Sequence, residues 1–227
     1  MKKLVILTGA GISAESGIQT FRDADGLWEG HDVMEVASPE GYKANPTLVL
    51  DFYNKRRKQL LEVSANKAHS NLVTLENNFD VEIVTQNVDD LHERAGSSKV
   101  THLHGELLKV RSSVNENDIL EWKEDLVLGN LCKKNSQLRP HIVWFGEMVP
   151  MLEKAIEITQ KADILVIIGT SMQVYPAASL IDYVKPNTPI YFIDPKPSVS
   201  INNYNNLTII EDVASSGTNK LIELLKG

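Results

Sequence analysis

Five short apolar runs recur along the chain, at residues 4–7 (LVIL), 81–85 (VEIVT), 164–169 (ILVIIG), 189–194 (PIYFID) and 207–210 (LTII). Most lack the apolar–polar alternation of a half-exposed strand, as parallel strands buried on both faces do. Helical patterns lie between them at 46–63, 66–78, 151–162 and 216–227, the first opened by Pro46. Strands alternating with helices predict an α/β fold, a doubly wound and mostly parallel Rossmann-like sheet. Two stretches break the alternation. Residues 19–63 join a long loop to helices where a second strand is expected, and residues 107–141 are polar around one amphipathic piece, NDILEWKEDLVLG. Both read as insertions that build a small second lobe. The expectation is a single domain, with a core over about 1–20, 79–106 and 142–227 and a lobe over about 21–78 and 107–141.

Composition narrows the class of function. Hydrophobic residues make up 42% and charged residues 23%, which suits a packed core. The net charge of −7 argues against nucleic acid as the main partner, because phosphate binding needs a basic face. One cysteine cannot close an internal disulfide, so a reducing, cytoplasmic setting is expected. The apolar start is too short for a secretory segment, and no run is long enough to span a membrane. A monomer without membrane attachment is the expectation.

Gly9, Gly11 and Ala14 stand in G-x-G-x-x-A spacing directly after the first predicted strand. Such glycines allow a tight turn and close backbone approach to a pyrophosphate, with a following helix offering its N-terminus. A dehydrogenase of this type also needs a second strand ending in an acid about 20 residues on. The sequence there is FRDADGLWEGHDV, polar and without an apolar run, which weighs against hydride transfer.

Five blocks then occur in one order: 9–28 (GAGISAESGIQTFRDADGLW), 85–96 (TQNVDDLHERAG), 102–107 (HLHGEL), 141–147 (HIVWFGE) and 167–178 (IIGTSMQVYPAA). Together they resemble the sirtuins, the NAD-dependent protein lysine deacylases. The resemblance implies that NAD is held by Gly9, Ala10, Gly11, Ile12, Ser13 and Glu15, under a mobile loop carrying Phe21, Arg22 and Trp28. It implies that Gln86, Asn87 and Asp89 face the nicotinamide and its ribose, Asp89 recognising the carboxamide. Gly169, Thr170 and Ser171 match a ribose contact, and Val213 and Ala214 fall near the adenine. Asp194 stands where many members carry Asn beside the adenosine ribose, which leaves that contact open. His104 matches the catalytic base, a group of near-neutral pKa suited to taking a proton from a ribose hydroxyl. His69 and His102 are read as structural. An acyl-lysine protein or peptide would add as a strand between Val143, Trp144, Phe145, Gly146 and Glu147 on one side and a segment with Val174 on the other.

Tyr53 and Arg56 lie at i, i+3 and share a helix face. They match a Tyr-x-x-Arg pair of sirtuins that remove negatively charged acyl groups, where arginine forks onto a carboxylate and tyrosine adds a donor. Ala24 matches the small residue that widens that acyl pocket. The competing view is a merely basic, exposed helix face, since Arg57 and Lys58 are adjacent. The implied reaction is attack of the acyl oxygen on C1′ of the nicotinamide ribose, consuming NAD and giving free lysine, nicotinamide and O-acyl-ADP-ribose. Succinyl or malonyl groups are the expected cargo, with acetyl also accepted. A mono-ADP-ribosyltransferase and a non-catalytic NAD or ADP-ribose binding module are the alternatives.

The family usually carries two C-x-x-C pairs in the small lobe. The matching positions here are Ser112, Asn115, Cys132 and Asn135, with one thiol among four. No bound zinc is expected, since Ser and Asn are poor zinc ligands beside thiolate. The lobe would then rest on apolar packing, with Ile119, Leu120, Trp122, Leu126 and Leu128 as candidates.

Overall fold

A computed structural model describes residues 1–19, 27–28, 30–198 and 204–226. In chain order the elements are β1 (Lys3–Thr8), β2 (Leu27–Trp28), β3 (His31–Asp32), α1 (Val33–Val36), α2 (Pro39–Ala44), α3 (Pro46–Glu62) and α4 (Lys67–Leu75). Then come β4 (Asp80–Thr85), α5 (Leu91–Ala95), β5 (Val100–His102), β6 (Gly105–Ser112), β7 (Ile119–Glu121) and β8 (Leu138–Ile142). The chain continues through α6 (Leu152–Gln160), β9 (Ile164–Ile168), β10 (Ile190–Ile193), β11 (Leu207–Ile210) and α7 (Ala214–Lys226).

Six of the strands form one parallel sheet in the order β11-β10-β9-β1-β4-β5. By order of appearance this is the 3-2-1-4-5-6 arrangement of doubly wound dinucleotide folds. Successive side chains explain the unbroken apolar runs. Leu4 and Ile6 face a cluster with Ala68 and Leu72 of α4 and Leu221 of α7. Val5 and Leu7 face the opposite cluster, with Ala155 and Ile158 of α6 and Leu180 and Ile181 of a 3-10 segment, Ala177–Tyr183. Both faces are covered, so apolar residues fill β1 from Leu4 to Leu7. The sixth strand, Val100–His102, has no counterpart among the predicted runs. It is three residues long and lies at the sheet edge, where one apolar position satisfies little packing.

A second, antiparallel sheet has the order β7-β6-β8. Helix α3 packs over it through Val49, Phe52, Tyr53 and Leu60, against Leu107, Ile142 and Trp144. The apolar piece at 117–129 differs from expectation. Ile119, Leu120 and Leu128 are exposed, at 41%, 37% and 53%; Leu126 is fully buried and Trp122 packs at the edge of its cluster. The cluster is instead Leu50, Val110, Leu126, Cys132 and Leu138.

Polar staples supplement this small core. Asn54 of α3 donates to the Leu126 carbonyl at 3.0 Å and accepts from the Leu126 amide at 2.8 Å. Arg57 is 1% exposed, not part of an exposed basic face, and donates to Asn54 at 2.8 Å and to the Leu107 carbonyl at 3.3 Å. Lys58 alone of that pair reaches solvent, paired with Asp125. Near the family's cysteine positions, the Cys132 thiol and Ser136 hydroxyl approach to 2.9 Å and Ser136 meets Ser112 at 2.8 Å. Asn135, the position matched from sequence, occupies the left-handed turn between them, at φ 57°. Among the described residues no group of three or more His, Cys, Asp or Glu gathers as a metal site.

Asn54→Ala should lower unfolding stability by about 2–3 kcal/mol, because the Leu126 backbone and Arg57 lose buried partners together. Ile119→Ser, at an exposed site, should stay within about 0.5 kcal/mol. Urea unfolding distinguishes them, and equal losses would contradict the staple.

Candidate active site

The strand order places a switch point between β1 and β9, where connections leave in opposite directions. Ligands of such sheets bind beyond the strand C-termini there. A cavity of about 550 Å³ opens at that position. Its walls include the turns after β1, β4 and β9, the start of β6 and one face of α3.

The turn after β1 is not followed by an α-helix. Two 3-10 turns, Ala10–Ile12 and Ala14–Ser16, take its place, closed by three-residue bonds such as Ile12 N–H to the Gly9 carbonyl. The glycines serve the neighbouring backbone. A Cβ on Gly11 would lie 2.5 Å from the Gly169 Cα, and one on Gly169 would lie 2.5 Å from the Ile12 nitrogen. Gly169 is also left-handed, at φ 63°. The Gly11 amide donates to the Gly169 carbonyl at 2.8 Å, locking the two turns edge to edge.

The turn after β4 adds polar groups. Ser13 donates to Asp89 at 3.0 Å and accepts from the Asn87 amide at 3.2 Å. Asp89 also accepts from the Leu91 amide at 3.2 Å, and its burial raises its pKa against these bonds. Gln86 reaches across to Thr170, donating to its hydroxyl at 3.2 Å.

Two histidines two residues apart acquire opposite character. His104 lines the cavity and donates from Nδ1 to the Gln86 carbonyl at 3.0 Å. A carbonyl only accepts, so Nδ1 carries the proton and Nε2 of the neutral ring keeps its lone pair. Burial lowers the His104 pKa, outweighing that bond. His102 is likewise partly buried, but Glu93 at 2.8 Å from Nε2 and the Asn87 carbonyl at 2.9 Å from Nδ1 hold its pKa above the usual value.

Residues 9–176 match the Sir2 family. An NAD-dependent protein deacylase of Helicobacter pylori is 66% identical over 196 residues, covering 86% of each chain. One of Bacteroides thetaiotaomicron is 54% identical over 231 residues, covering 99% of this chain and 98% of the relative. A crystal structure of a Sir2 homolog–NAD complex is 39% identical with a TM-score of 0.88, covering 99% of this chain and 90% of that one. This chain belongs to the Sir2 family.

Most of the residues singled out by the sirtuin resemblance line this one Sir2 cavity. They are Gly9, Ala10, Gly11, Glu15, Trp28, Gln86, Asn87, Asp89, His104, Gly169, Thr170, Ser171, Asp194, Val213 and Ala214, with Tyr53, Arg56, Val143, Trp144, Phe145, Gly146, Glu147 and Val174. Ile12 and Ser13 are fully buried behind it. Phe21, Arg22 and Ala24 lie outside the described residues. Two lining carboxylates are already committed to the protein. Glu15 accepts from the Ser215 amide at 2.8 Å, capping the start of α7. Glu147 accepts from Arg139 at 2.6 Å, from Arg111 at 3.3 Å and from the Trp144 amide at 2.8 Å. Sequence patterning does not mark Arg111, Arg139 or the lining residues Gln59, Tyr175 and Lys196.

Ring-resonance NMR titration, assigned with His104→Gln and His102→Gln, should show His104 deprotonating below the ordinary value of 6.5 and His102 above it. The reverse order would contradict the bonding pattern.

Proposed function

We propose that this Sir2 family member is an NAD-dependent protein-lysine deacylase whose pocket favours acyl groups ending in a carboxylate, with acetyl as a smaller alternative. The observation that carries the preference is the joint presence of Tyr53, Arg56 and His104 in one cavity wall. Arg56 is 7% exposed, with its guanidinium carbon 4.3 Å from the Trp28 ring centroid. Stacking on an aromatic face holds such a fork in plane, ready for a carboxylate. The Tyr53 hydroxyl accepts from Trp144 Nε1 at 2.9 Å, which leaves its hydrogen to donate. Burial first, against the pull of Trp144 and Arg56, raises the Tyr53 pKa, so the hydroxyl remains a donor through the neutral range.

The donor set fits NAD. The cavity combines the paired glycine turns, the Thr170 hydroxyl, the Asp194 carboxylate and the Gln86 amide at the switch point. NAD, when bound, supplies the ribosyl carbon that accepts the acyl oxygen. The chain supplies the rest. His104 presents a neutral Nε2 able to take a proton from a hydroxyl. The Ser13–Asn87–Asp89 bonds hold the turn after β4 in one arrangement. Phe145 donates its backbone amide to Ala37, fixing the edge along which an extended peptide would add.

Nicotinamide release with succinyl-, malonyl-, glutaryl- and acetyl-lysine peptides tests this. His104→Ala should lower kcat/KM for every peptide by about 10²-fold or more. Because burial lowers the His104 pKa, wild-type activity should persist below pH 6.5 and fall only as pH drops through that lowered value. Arg56→Met should lower the succinyl-to-acetyl ratio of kcat/KM by about 10- to 100-fold, the loss of a charged hydrogen bond. Equal losses on all peptides would contradict the acyl assignment.

A further inference from the structure

Trp144 is 2% exposed and held on every side. Its indole Nε1–H donates to the Tyr53 hydroxyl at 2.9 Å. Arg139 lies over its ring, with the guanidinium carbon 3.5 Å from the centroid. Tyr42 packs against it with centroids 5.2 Å apart and planes at 42°. Arg139 is itself fixed. It donates from Nη1 to Glu147 Oε1 at 2.6 Å, from Nη2 to Oε2 at 3.1 Å and to the Ile142 carbonyl at 3.1 Å. The same Glu147 carboxylate accepts from the Trp144 backbone amide. Arg139 and Glu147 thus grip one residue twice, by its ring face and by its amide. Turning the indole would lose the stack and the bond to Tyr53 together.

We infer that Trp144 is a specificity-determining positioning residue: clamped by Arg139 and Glu147, it aims the Tyr53 hydroxyl as a donor toward an acidic acyl group. This rests on the acyl reading above. A phenol oxygen that accepts from a fixed N–H loses its rotational freedom. Its own hydrogen must then point away from the indole. Arg56 follows Tyr53 by three residues on the same face of α3, so both donors serve one acceptor. A succinyl carboxylate takes both, whereas an acetyl methyl takes neither. A site built to hydrogen-bond its cargo discriminates most strongly against the analogue lacking the acceptor. Phenylalanine keeps an aromatic ring for Arg139 to stack on but has no N–H, so Trp144→Phe removes the aiming bond; the volume it also removes acts on both peptides, whereas the bond acts on their ratio.

The test is kcat/KM for succinyl- and acetyl-lysine peptides with NAD, for wild type, Trp144→Phe, Tyr53→Phe, the double variant and Arg56→Met. Trp144→Phe should lower the succinyl-to-acetyl ratio about fivefold to tenfold, mainly through the succinyl KM. In the Tyr53→Phe background the same substitution should leave the ratio within about twofold, because its target is gone. Arg139→Met should shift the ratio in the same direction as Trp144→Phe. Equal losses on both peptides, or a full effect in the Tyr53→Phe background, would overturn the inference. If Arg56→Met shifts the ratio and Trp144→Phe does not, the positioning role fails while the acyl reading stands. If neither shifts it, the acyl reading itself fails.

Discussion

The backbone contact between the turns after β1 and β9 sets the geometry of everything around it. With Gly11 and Gly169 in van der Waals contact, no side chain fits between the two strand ends. The strands stay in register to their last residues, Thr8 beside Ile168, and the connections must leave the sheet on opposite sides. That divergence is what opens the cavity. The glycines of the first turn are therefore spent on the neighbouring turn, and the dipole of a long helix is not available behind them. The polar work falls to side chains held by the next turns: Ser13, Gln86, Asn87, Asp89 and Thr170.

The second constraint is how buried polar groups find partners in a low-dielectric site. His102 and His104 sit on one short stretch, yet one gains a carboxylate and the other only a carbonyl. The difference in acceptor, more than the difference in burial, moves the pKa of one ring up and that of the other down. The lobe repeats the principle. Asn54, Arg57, Arg111, Arg139 and Glu147 are all largely buried, and each is tied to backbone or to an opposite charge. Such groups are costly to separate, so they hold α3, β6 and β8 in a fixed relation around the end of the cavity lined by Tyr53 and Arg56.

The apolar runs made the central sheet legible, because strands covered on both faces leave an unbroken signature. Pro46 marked the start of α3 for the same kind of local reason. The edge strand at Val100–His102 left no such signature, being short and covered on fewer sides. Direction of a side chain was the harder matter. Arg57 looked exposed beside Lys58 but turns inward to Asn54 and Leu107, and Ile119 and Leu120 looked like core but face solvent. Spacing brought the motif residues toward one cavity, yet it could not tell that Glu15 and Glu147 would be taken up by Ser215 and by arginines. Those partners are distant in sequence, and only the fold reveals them.

The fate of an acyl group reports most directly on what the cavity does. A succinyl-lysine peptide incubated with the protein and NAD, followed by mass spectrometry, should lose the succinyl mass with nicotinamide released in equal amount. A peptide that keeps its succinyl group and gains the mass of ADP-ribose would contradict deacylation.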